Sequence, residues 1–229
     1  INLMGAFFLS FGFIGLYLAV VNGYPFEFIP NDGTNLKSMK RSPDSKKAFY
    51  NALLLTKMYM EENPDLDEIK SLVSKENYQD FNEPLVQNII SENISIYVEE
   101  GDLRNALKFT KFLLSQNNMT SILKNLLLID KGSIDLLLGN FSEIAKLDNN
   151  NVFQAYIKAK GQSEIERYKY MYYTLYKKDE KKAEKALKNA RSLSEDHLFN
   201  SYGNNDEKFI NWTLEKSQWI DRLEILDSV

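Results

Sequence analysis

The chain has 229 residues, enough for one sizeable domain with an appendage. Its 28 Lys and Arg against 32 Asp and Glu leave a formal net charge of −4, which removes any general electrostatic drive toward nucleic acid. With no cysteine and a single histidine, His197, disulfide and thiolate chemistry are excluded and a zinc site is disfavoured.

The first element is "LMGAFFLSFGFIGLYLAVV", Leu3 to Val21, which contains no charged residue. Nineteen residues at 1.5 Å each span about 28 Å, close to the ~30 Å hydrocarbon core of a bilayer. A water-facing helix of that length would show a polar side, and this one does not. Residues 1–21 therefore read as a transmembrane helix, with Tyr17, Tyr24, Phe26 and Phe28 suited to the interface. Gly5, Gly12, Gly15 and Ala19 form a stripe of small residues against which a second membrane helix can pack closely. Two other readings stand beside the anchor. The chain begins with Ile, so the segment can be the last span of a longer polytopic protein. It can also be a cleaved signal peptide ending near Val21-Asn22-Gly23, although its apolar run exceeds the usual core of such signals. No Lys or Arg lies between Val21 and Lys37, which points the following domain to the extracytoplasmic side of a cell membrane.

Residues 22–41, with two prolines and two glycines, read as a linker. At Ser42 the pattern turns helical: Ser42 is a good N-cap, Pro43 fits the first helical position, and Asp44 suits the positive end of the dipole. The helix runs to about Met60, and Asn63-Pro64-Asp65 repeats the start signal before a second one. A longer period then emerges. Tyr59, Tyr97, Asp135 and Tyr173 are spaced 38 apart, and four residues after each come Asn63, Gly101, Gly139 and Lys177. The clearest unit is "ISIYVEEGDLRNALKFTKFLL", in which Gly101 supplies a positive φ at the helix end and Ala106 allows a close helix crossing. Each such hairpin leaves an apolar face uncovered, so neighbours must stack. A generic all-α bundle with a coincidental spacing is the simpler alternative.

Tyr97, Gly101 and Ala106, and more loosely Gly132, Gly139 and Ala183, resemble the tetratricopeptide repeat family over about Pro43 to Ala190. The unit here is longer than the common family unit, and the signature tryptophan and terminal proline are absent. The resemblance implies a curved α-solenoid of about four helix pairs, residues 42–229, whose concave face binds a protein or peptide. It also implies that the first helix of each unit lines the groove, which places Arg167, Met171 and Thr174 there in the fourth unit. In the first unit Leu53 and Lys57 do not reproduce the Lys/Asn clamp that family members use for chaperone C-termini.

The tail carries one more helix, with Phe209, Trp212, Trp219, Leu223 and Leu226 on one stripe and Asp206 and Glu207 at its start. It is expected to cap the last exposed face of the solenoid, with Trp212 and Trp219 as a candidate docking surface. Chemistry is sparse. Ser194 and Asp196 flank His197 too closely to form a catalytic arrangement. Asp65, Asp67 and Glu68 suit a helix N-terminus rather than a calcium loop, and no glycine-rich phosphate cradle is present. "RYKYMYYTLYKK" from Arg167 sets five tyrosines among basic residues and could stack bases, but Tyr168, Tyr172 and Tyr176 follow an i, i+4 row suited to packing. No catalytic residue, cofactor, metal or nucleic-acid site is assigned. The expected function is a non-enzymatic, membrane-tethered scaffold or adaptor for a protein or peptide partner. Its richness in Asn, Lys, Ile and Tyr suggests an AT-rich bacterial genome. The alternative is the C-terminal regulatory domain of a longer polytopic membrane enzyme or transporter.

Overall fold

Helix start signals in the sequence are realised as caps. Ser42 accepts the Ser45 N–H ahead of Pro43, Asp65 accepts from Asp67 and Glu68, Asp102 from Asn105, and Thr120 from Leu123. The computed structural model describes residues 3–25, 31–61, 65–159, 161–194 and 206–218, and among these every regular element is helical. In chain order they are α1 (Leu3–Gly23), α2 (Asp32–Arg41), α3 (Pro43–Tyr59), α4 (Leu66–Val73), α5 (Pro84–Glu99) and α6 (Leu103–Leu114). There follow α7 (Ser121–Leu138), α8 (Phe141–Asp148), α9 (Asn151–Tyr156), α10 (Ser163–Tyr172), α11 (Glu180–Ser194) and α12 (206–218). The protein is all-α. Helices α3/α4, α5/α6, α7/α8 and α10/α11 pack as pairs, and the pairs join through α3–α5, α6–α7 and α7–α10.

The 38-residue spacing marks the last turns of the leading helices. The Tyr97 carbonyl accepts the Asp102 N–H at 2.8 Å, and the Asp135 carbonyl accepts the Asn140 N–H at 2.8 Å. Gly101 and Gly139 between them take φ of 76° and 75°, the left-handed closure of a Schellman turn. Asn63, the equivalent in the first unit, lies outside the described residues. The fourth unit departs from the rule. A π-helical turn, Tyr173–Lys177, adds one residue, so the Tyr173 carbonyl meets the Asp179 N–H at 3.0 Å. The left-handed residue is consequently Lys178 at φ 54°, not Lys177 as the spacing predicts. Five residues after the turn, Ala106 and Ala183 are buried against the leading helix, as close crossing requires.

The core is continuous along the stack and includes Val86, Ile90, Leu113, Leu127, Ile134, Phe153 and Ile165. Gly132 sets the approach of α7 to its neighbours: a Cβ there would lie 2.7 Å from the Tyr168 ring and 3.1 Å from Leu147. Burial pushes the Tyr168 phenol well above its ordinary range.

The segment read as a linker contains α2, and both of its ends are tied down. Asn31 Oδ1 accepts the Thr34 N–H at 2.9 Å while its Nδ2 donates to the Val21 and Tyr24 carbonyls at 2.6 Å each. Gly33 abuts the end of α1 so closely that a Cβ would fall 2.3 Å from the Gly23 carbonyl oxygen. At the other end Arg41 grips Glu83 at the start of α5 through Nε and Nη2 at 3.0 and 2.9 Å, and the Ser45 hydroxyl adds a bond of 2.9 Å. Burial would raise the Glu83 carboxyl, but Arg41 and Ser45 outweigh it and hold it below its ordinary value. The region is a bracket.

Among the described residues no helix is long and apolar enough to cross a membrane. Helix α1 is 21 residues long. Phe26 and Phe28 lie outside the described residues.

The left-handed turn yields a stability test. Lys178→Gly removes the strain of a side chain at positive φ and is expected to stabilise by about 0.5–1 kcal/mol, whereas Gly101→Ala costs about 1 kcal/mol. Urea unfolding measures both, and opposite signs would contradict the turn assignment.

Candidate binding face

The leading helices α5, α7 and α10 form a trough, and α12 lies in it. Phe209, Ile210 and Thr213 of α12 are buried. The pairing is centred on Arg167 of α10, whose side chain is 3% exposed. Its Nη1 donates to Asp206 at 2.8 Å and its Nη2 to Asp130 of α7 at 2.9 Å, while the guanidinium carbon sits 4.5 Å from the centre of the Phe209 ring. Burial alone would lower the guanidinium, but Asp206 and Asp130 outweigh it and keep it above its ordinary value. Three helices thus converge on one cation.

Two lysines of α12 extend the seating. Lys208 pairs with the Glu99 carboxylate and reaches the Glu99 carbonyl at the end of α5. Lys216 donates to the Leu137 and Leu136 carbonyls at 2.5 and 3.2 Å at the end of α7. Both cations occupy helix C-termini, where unpaired carbonyls and the dipole favour positive charge. Burial, together with Lys178, lowers the Lys216 ammonium from its ordinary value. Arg191 of α11 meets Glu207 at 3.3 Å. With Asp206 tied beside Asp130 and Lys216 beside Leu136 and Leu137, α12 runs along α7 in the same chain direction.

This placement corrects several expectations. Arg167 and Met171 do not line an open groove; they are buried at 3% and 0% exposure, and Thr174 is half-buried. Helix α12 is not an end cap but a strap across three units. An amphipathic stripe shows that a helix has a face to bury without showing where. Here the polar residues Asp206, Lys208 and Lys216 select the trough. Trp212 is half-buried and packs edge-on to Phe209 at 5.9 Å, while Trp219, Leu223, Leu226, Asp196 and His197 lie outside the described residues. In α1, Gly12 and Gly15 have nothing within 4 Å of a built Cβ, Ala19 is exposed, and Gly5 falls in the first half of the helix.

The residue missed by pattern is Asp130, and the available signal was two aspartates inside the apolar run "LLLIDKGSIDLLL". The second, Asp135, is fully buried and accepts from Lys131 at 2.7 Å and from Asn140 at 2.9 Å. Lys131 also binds Glu143 of α8 at 2.9 Å, and Lys146 with Lys131 holds the Glu143 carboxyl down at about 2.

One part of the leading-helix face stays open. Between α3 and α5 a hollow of about 200 Å³ is lined by Ala52, Leu55, Thr56, Tyr59, Asn88 and Glu92, with Tyr59 Oη donating to Glu92 at 3.1 Å. Among the described residues no group of three His, Asp or Glu side chains is placed to hold a metal ion. No protein-family model, curated protein or solved structure matches the chain.

The Arg167 junction is tested by a double-mutant cycle. Arg167→Ala leaves two carboxylates unpaired and is expected to cost about 3–5 kcal/mol. The Arg167→Met/Asp206→Leu pair is expected to cost less than the sum of its single changes by about 1–3 kcal/mol in chemical denaturation. Additive costs would show that the two side chains do not interact.

Proposed function

We propose that the protein is a membrane-tethered scaffold of helical hairpins, similar in kind to tetratricopeptide repeats, that binds a protein or peptide partner at a bacterial membrane. The observation that carries this reading is α1. Phe7, Phe8, Phe11, Phe13, Ile14 and Leu16 are each more than half exposed, and the helix has no charged residue on any side. In water so much bare aromatic surface would be strongly unfavourable, whereas a bilayer covers it. The tether is read from the sequence of residues 1–21, whose apolar stretch Leu3 to Val21 carries no charge. The α2 bracket joins this anchor to the hairpin stack, and the first basic residue after it is Lys37, consistent with an extracytoplasmic domain.

Partner binding fits the α3–α5 face best, because α12 occupies the neighbouring trough. The hollow is lined by the apolar Ala52, Leu55 and Ile89 with the Tyr59–Glu92 pair as polar contacts, and Leu53 of α3 and Met60 just past its end are exposed at 57% and 69%. Tethering raises the effective concentration of such a surface near membrane partners, so a weak groove suffices. Catalysis is not part of this reading.

Membrane fractionation tests the tether. The full chain is expected to remain in the pellet after high salt and after alkaline carbonate and to enter solution only with detergent. Release by carbonate alone would remove the anchor and with it the tethered scaffold.

A further inference from the structure

Charge is unevenly distributed along the chain. Residues 151–194 carry eleven Lys and Arg against five Asp and Glu, a surplus of six in a chain whose net charge is −4. Much of this surplus gathers around two adjoining hollows between the α9–α10 connection, α10 with its π turn, and α11. Their volumes are about 620 and 600 Å³, and both are lined by Lys158, Lys169, Tyr173 and Lys182. Lys185 completes the first and Lys177 the second, so five lysines face two carboxylates, Glu166 and Asp179.

Both carboxylates are already engaged. Glu166 takes Lys169 at 2.6 Å on one oxygen and the Asn189 amide at 3.1 Å on the other. Asp179 takes Lys182 at 2.8 Å, and Lys177 is paired with Asp148 at 3.1 Å. Lys158 and Lys185, one on the loop wall and one on the α11 wall, have no ion-pair partner among the described residues. Tyr173 lies between the two lobes with the Lys182 ammonium 5.4 Å from its ring centre. It also begins the π turn, an irregularity that recurs at functional positions. On α11, Lys182, Lys185, Ala186 and Asn189 all line the first hollow, while Ala183 and Ala190 are buried in the core.

We propose that this cleft binds a small anion carrying two or more phosphates, with Lys158 and Lys185 meeting its charge from opposite walls and Tyr173 flanking its less polar part. Lysine serves phosphate as a mobile point charge, and hollows of this size suit a compact ligand. The engaged state of Glu166 and Asp179 argues against a cation as the occupant. This inference does not depend on the tether.

The test is calorimetric titration of the full chain in nonionic detergent micelles. One arm uses inorganic tripolyphosphate, and a second adds cardiolipin to the micelles to present the same chemistry as a lipid headgroup. Lys158→Glu/Lys185→Glu is expected to weaken binding at least tenfold, while Lys108→Glu/Lys124→Glu, on exposed lysines of α6 and α7, leaves it unchanged. Lys158→Gln/Lys185→Gln gives an intermediate loss, and thermal unfolding checks that each variant is folded. Discrimination with tripolyphosphate supports a soluble ligand, and discrimination with cardiolipin alone supports a headgroup. Equal weakening by both Glu variants, or no binding of either probe, overturns the proposal.

Discussion

A guanidinium buried between two carboxylates organises the second half of this protein. Arg167 is 3% exposed, and a charge in that position costs several kcal/mol unless its partners are in place. Those partners come from different helices, Asp130 on α7 and Asp206 on α12, and Phe209 of α12 covers the remaining face of the cation. The pairing therefore does more than add a contact. Sliding α12 by one turn would part Asp206 from Arg167 and leave the buried cation with Asp130 alone, so the interaction sets its register on the stack. Apolar burial of Phe209 and Ile210 supplies most of the attraction, since it is non-directional. The ion pairs supply the address.

The consequence reaches the surface available for binding. A hairpin stack offers its leading helices as one long face, but here α12 fills the stretch over α5, α7 and α10. Lys208 and Lys216 pin the strap to the C-terminal carbonyls of α5 and α7. At the opposite end α2 reaches past α3 and clamps the start of the second hairpin, α5, through Arg41 and Glu83. Among the described residues, open hollows include the one between α3 and α5 and, on another side, the lysine-rich cleft of α10 and α11. In the proposed reading the open hollow sits nearest the tether, and the cationic cleft lies at the far end of the stack in chain order.

Much of the architecture was legible in the sequence because helix ends are specified locally. Ser42 with Pro43 and glycine at 101 and 139 are short-range signals, and the 38-residue period through Tyr59, Tyr97 and Asp135 falls in the last turns of three leading helices. The same counting slipped at Lys178, because a π turn adds a residue without leaving a mark in composition. Helix α2 was hidden by the prolines and glycines around it, although its cap is formed by Asn31 and its contact with α1 requires Gly33. Arg167 was misplaced for a different reason. An Arg on a leading helix looks like a groove residue until Asp130 and Asp206, distant in sequence, are seen to meet it. Long-range pairing of charge is where local pattern stops.

The account rests most directly on α12 being part of the folded stack rather than a loosely attached tail. Native-state hydrogen exchange measures this residue by residue. The account predicts that the inward amides of 206–218, those of Phe209, Ile210 and Thr213 among them, open with nearly the same free energy as the core of α7. Fast exchange throughout α12 while α7 stays protected would contradict it, and would return the trough to the list of open surfaces.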